Sequence, residues 1–239
     1  MKSIAKNYKL ILASVGLILL LASIGVHYFE EFKAYRFLRG FISIAFLCIL
    51  IYYKQKQVNP LIATFLLIYA TSSFATIWYE NETMAVVALL LNFVSFLFIV
   101  KALWKQASFK NLGVFLSIIF VVFIIVNAFM LYRFINMLKD FTMGNLQYAA
   151  MLLGAMVLVV TGFLVLLYNH ACNTKASLVF ALAMFLFIFA EIFRALAYYD
   201  LGFGNLFVFI ARGTLILATA LVIHFCLMNK APKEQLSRR

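Results

Sequence analysis

ASLVFALAMFLFIFAEIFRALAYY, residues 176–199, holds only two charges, Glu191 and Arg194, in 24 positions. Its apolar letters fall on every side of a helical wheel, the pattern of a helix with no watery face. About 20 such residues cross roughly 30 Å of hydrocarbon. Seven further stretches read the same way, so the expected spans are 8–28, 35–53, 60–79, 84–104, 112–133, 146–168, 176–199 and 206–228. None alternates in the manner of barrel strands. In lipid the backbone must close its own hydrogen bonds, so each run is expected to be a helix. The chain is 67% hydrophobic and 12% charged, against about 45–50% and about 25% in soluble domains. The expectation is an all-α integral membrane protein, one transmembrane domain over residues 1–239 with eight helices and no room for a soluble domain.

The net charge of +12 would suggest nucleic acid on a soluble chain, but its distribution argues for topology instead. With the N terminus in the cytoplasm, 13 of the 20 Lys and Arg lie on that side. Lys33, Arg36, Arg39, Arg133 and Lys139 are assigned to the other side, and Arg194 and Arg212 to span interiors. This is the positive-inside bias, with both termini cytoplasmic, and with the short loops it fits a bacterial cytoplasmic (inner) membrane. The basic tail 230–239 is either a topology signal or a contact for anionic lipid heads. Lys2, Lys6 and Lys9 precede an apolar run too long for a signal peptide and without a clear cleavage site, so it is expected to stay as a helix. Cys48, Cys172 and Cys226 have no disulfide or metal-ligand spacing and read as packing residues. No zinc, serine-hydrolase, thiol-redox or phosphate-loop motif is present, and no cofactor is expected. Pro60 and Pro232, the two prolines, lie at or beyond span ends. The broken-helix pattern of many transporters is therefore missing.

Residues 65–80, FLLIYATSSFATIWYE, and 185–200, FLFIFAEIFRALAYYD, share six identities at an offset of 120. The expected duplication relates span three to span seven. An even shift keeps membrane direction, so the halves, about 1–110 and 111–229, would be parallel four-helix repeats. Thr71 would then stand opposite Glu191, and Asn92 opposite Arg212. Thr71, Ser72, Ser73, Asn92 and Ser95 would form an uncharged copy of the site, or serve ordinary helix packing.

Intramembrane charges are costly and face the protein interior. At 1.5 Å per residue Glu191 sits roughly 12 Å, and Arg212 roughly 9 Å, from the same end of two neighbouring antiparallel helices. Arg194 follows Glu191 at i+3, Tyr198 follows Arg194 at i+4, and Asp200 closes the end. One reading is an anion or headgroup pocket, with arginines gripping phosphate or carboxylate and Glu191 acting as acid or base. The other is a structural ion network tying span seven to span eight. His224 is too far along its helix to join, and His27 and His170 lie at span ends. Trp78 and Trp104 read as interface anchors.

Eight spans, the duplicated unit and the Ala190-Glu191 pair resemble the lysoplasmalogenase family of membrane hydrolases. That family has a Ser-Asp pair in helix seven, where this chain has Ala190-Glu191. It has a Gly-Asp pair in helix three, where this chain has Ala70-Thr71. Its helix-four His and Tyr correspond to Ser95 and Phe98. The resemblance implies hydrolysis of the vinyl-ether bond of lysoplasmalogens by intramembrane acids, with a lysophospholipid as substrate. Here Glu191 would be the catalytic acid/base. Arg194 and Arg212 would hold the phosphate headgroup, with Tyr198, Thr71, Asn92 and Ser95 around it. The alternatives are a non-catalytic lipid or anion sensor, a small-molecule transporter, and a helper that assembles with another membrane protein. Membrane lipids are the expected partners, nucleic acid is not, and the oligomeric state is left open.

Overall fold

The computed structural model describes residues 7–29, 31–54, 58–106, 112–199 and 205–228. They form eight long helices: α1 (Tyr8–Tyr28), α2 (Phe32–Lys54), α3 (Pro60–Ala75), α4 (Glu82–Trp104), α5 (Val114–Met137), α6 (Asn145–Cys172), α7 (Lys175–Tyr198) and α8 (Asn205–Met228). All eight are long and apolar enough to cross a membrane, α3 with the 3-10 turn Thr76–Trp78 that continues it. The basic tail and Asp200 lie outside the described residues.

The helix ends follow from local chemistry. Pro60 opens α3, where its missing N–H costs nothing, and the Asn59 side chain accepts from Leu61 N. Asn81 caps α4 by accepting from Met84 N. Thr174 and Ser177 form a reciprocal capping box at α7. Asn173 ends α6 in the left-handed conformation, φ 44°, which Asn tolerates better than most residues.

Six helices close a ring, in the order α2, α3, α4, α6, α7, α8 and back to α2. α1 lies outside it against α8 and α2, and α5 lies outside it mainly against α6. The ring interior is filled by fully buried aromatics. Phe65 meets Phe96 and Phe187 at 5.5 and 5.2 Å between ring centres, and Tyr69 meets Phe187 at 5.3 Å. Small residues allow the closest approaches. A methyl group on Gly40 of α2 would fall 2.7 Å from the Phe74 ring of α3. Trp78 and Trp104 are exposed at helix ends, as interface anchors should be, while Cys48 and Cys172 are exposed rather than packed.

The buried positions of α3 and α7 coincide at a different offset from that of their letters. At an offset of 120, Ala70 and Ala190 alone are buried in both helices; at 118, every buried residue of α3 has a buried counterpart in α7. At that offset Ser73 rather than Thr71 aligns with Glu191, and Tyr69 with Phe187. Letter matching among apolar residues favours identity over helical face, and two residues turn a helix by about 200°.

Candidate functional site

The ring is centred on Glu191, only 6% exposed. Its Oε1 accepts from Arg39 Nη2 at 2.5 Å and from the Tyr69 hydroxyl. Its Oε2 accepts from Asn92 Nδ2 at 2.6 Å and from Arg194 Nη2 and Nε at 2.6 and 3.1 Å. The donors stand on α2, α3, α4 and α7. A carboxylate offers about four lone-pair sites, so all are engaged. The close α2–α3 approach at Gly40 sets Arg39 beside Tyr69, where its Nη2 donates to the hydroxyl at 3.0 Å. Every charge in this group has a partner, the condition under which a buried ion network is tolerated.

Arg39 is the member that sequence reasoning missed. It was assigned to the polar ends with Lys33 and Arg36, yet it lies inside α2 and is 8% exposed. The available signal was its position within the expected span 35–53. Arg212 was expected to be the second arginine of Glu191, and the structure corrects this. Its Nη2 donates to the Tyr35 carbonyl at 2.8 Å, and its guanidinium lies 3.9 Å from the centre of the Tyr35 ring. Nη1 is buried without a hydrogen-bond partner. Equal depth on neighbouring helices does not fix the direction of a side chain, and Arg39 takes the place that depth alone gave to Arg212.

The other predicted residues divide. Asn92 holds Glu191 directly. Tyr198 stands at the rim, with the Arg36 guanidinium 5.6 Å from its ring centre. Ser95 is buried but donates to the Asn92 carbonyl at 2.6 Å, so it serves its own helix. Thr71 is exposed on the outer face of α3 and returns its hydroxyl to the Leu67 carbonyl, which removes it from the site. Ser72 donates to the Ala88 carbonyl at 2.8 Å and ties α3 to α4. His27 does have a partner, Asn205 Oδ1 at 3.0 Å, and His224 meets the Tyr8 hydroxyl at 3.1 Å.

Beside this group lies a cavity of about 290 Å³, at the end of the bundle where α2 and α8 begin and α3 and α7 finish. Arg36, Arg39, Arg194 and Arg212 line it, with Tyr35, Tyr69, Tyr79, Tyr198 and Tyr199; no Asp or Glu does, among the described residues. Arg36 is neutralised at the rim by Glu80 at 2.6 Å and donates to the Thr76 carbonyl that ends α3. Partial burial opposes ionisation of Glu80, but its own backbone amide and Arg36 hold its carboxyl below its ordinary range. A second, smaller cleft of about 80 Å³ opens between α4, α5, α6 and α7, and Glu191 and Asn92 reach its wall. Leu89, Met151, Arg194 and Ala195 line both spaces. No cluster of three or more metal-ligating side chains occurs among the described residues.

Comparison with known proteins gives no match to a family model, a curated protein or a solved structure.

Proposed function

We propose that the chain is an integral membrane protein that binds the anionic head of a lipid or other amphiphile in the arginine-lined cavity. The observation that carries this reading is Arg212. Four arginines line the cavity, with no carboxylate among its described lining residues. Arg39 and Arg194 share Glu191 and Arg36 has Glu80, whereas among the described residues Arg212 has a backbone carbonyl and a ring face, and its Nη1 has no hydrogen-bond partner. A buried guanidinium with a donor to spare suits phosphate or carboxylate. The positive-inside bias supports an orientation with both termini cytoplasmic and the cavity in the outer half of the bilayer, and with the short loops it fits a bacterial inner membrane. The contact pattern supports two parallel four-helix halves: α1–α2, α2–α3, α3–α4 and α4–α6 each have a counterpart four helices on, in α5–α6, α6–α7, α7–α8 and α8–α2.

Lysoplasmalogen hydrolysis is a second reading, favoured by Glu191 reaching the wall of the apolar cleft. It requires Glu191 to release one of its donors before it can handle a proton.

The test is binding of inorganic phosphate and of phosphate-headed lipids to purified protein, with Arg212→Gln beside wild type. Lysoplasmalogen is assayed in parallel for aldehyde release. Saturable binding weakened about tenfold or more by Arg212→Gln supports the binding reading. Equal binding by both proteins overturns it. Aldehyde release that disappears in Glu191→Gln establishes the hydrolase.

A further inference from the structure

The cleft between α4, α5, α6 and α7 has a shape and chemistry that the headgroup reading leaves unused. Its wall is apolar, formed by Phe93 and Phe96 of α4, Leu131 and Ile135 of α5, and Leu158 of α6. At one place the wall turns polar, where Glu191 meets Arg194 and Asn92. Arg194 is also a wall of the arginine cavity. The two spaces thus adjoin along Leu89, Met151, Arg194 and Ala195, apolar on one side and cationic on the other.

The outer boundary of the cleft is α5, the least buried helix of the bundle; Ile135 is its one buried residue. It is seated on α6 through ring contacts such as Phe120 with Phe163, 6.1 Å between centres. On the cleft floor Gly154 of α6 has open space before it, since a methyl group there meets nothing within 4 Å. The helix is therefore thinnest where the cleft needs room.

We infer that this cleft is a second subsite, for an unbranched alkyl chain whose anionic head lies beyond Arg194 in the arginine cavity. It rests on the headgroup reading for the position of the head. The class of ligand is thereby narrowed to a phosphate or carboxylate carrying at least one linear chain. The head is held by cations and the chain by aromatic and aliphatic side chains, on either side of Arg194.

The test uses full-length protein in nanodiscs with a long-chain alkyl phosphate bearing a diazirine at its chain end. After irradiation, labelled residues are mapped by mass spectrometry. The expected result is labelling of the α4, α5 and α6 cleft residues at least fivefold above the exposed outer face of α1. That excess falls in Gly154→Leu, which fills the floor, and in Arg212→Gln, which weakens the head. Inorganic phosphate binding survives Gly154→Leu. Labelling that merely follows lipid exposure, or that ignores Gly154→Leu, overturns the chain subsite. If inorganic phosphate still binds in that case, the headgroup reading stands alone; if phosphate and alkyl phosphate both fail to bind, both proposals fall. Excess in the cleft that is unchanged by Arg212→Gln overturns the joined ligand.

Discussion

α1 and α5 both flank the six-helix ring, but they close it differently. α1 is pressed against α8 and α2. A methyl group on its Gly16 would lie 3.3 Å from Ile216 Cγ2 of α8, and Leu12, Leu19 and Ser23 are buried along the same face. α5 leans on α6 and leaves space beside α4, and Gly154 behind it faces open volume. Both helices are similarly long and apolar, so hydrophobicity does not separate them. Packing does. In hydrocarbon, apolar side chains gain little by leaving lipid, so helices associate through close van der Waals fit at small residues. α1 has that fit and seals its side. α5 lacks it over most of its length, and its side keeps a cleft that ends at the polar centre.

The largest test concerns the ring that both helices flank. Glu191→Ala leaves Arg39 and Arg194 without their acid, and breaking a buried pair costs about 3–5 kcal/mol. Thermal unfolding in detergent should show a large drop, and an unchanged midpoint would mean that the ring does not depend on this carboxylate. Next comes the sealed side. Gly16→Leu drives a side chain into Ile216 and should cost about 1–3 kcal/mol by overpacking. Tolerance of that substitution would erase the difference between the flanks. Asn92→Ala, at the inner end of the cleft, removes one donor to Glu191 and should cost about 1 kcal/mol. The smallest effect belongs to the open side: Gly154→Leu should shift stability by no more than about 0.5 kcal/mol, within the range of substitutions that disturb no packing. A fall as large as that of Gly16→Leu would show that the cleft is closed.

The spans were the most legible feature of the sequence. Each expected stretch contains or overlaps one helix, with ends displaced by a few residues, as at α2, which starts at Phe32 rather than residue 35. The polar centre was legible in part. Glu191 and Arg194 share a helix face by spacing alone, and that pair is present as expected. Asn92, a candidate by its polarity within an apolar span, bonds the central carboxylate. Arg39, Tyr69 and the true surroundings of Arg212 were not legible, because each depends on which neighbour a helix turns toward. Tyr69 reads as one more aromatic letter in an apolar run, yet it donates to the central carboxylate. Thr71 turns outward for the same reason, since which face of α3 meets the neighbouring helices is not written in its own letters.

By itself, then, the sequence determined that this chain is eight apolar helices with an acid and an arginine one turn apart in the seventh. Length, hydropathy and helical spacing are local properties, fixed by the cost of leaving a backbone group or a charge unsatisfied in lipid. Only the tertiary structure decided which arginine completes the carboxylate, which is left with a donor to spare, and which flank stays open. Those outcomes depend on the rotation of each helix about its axis and on sub-ångström fits at Gly16 and Gly40, where the energy comes from contacts between residues far apart in the chain.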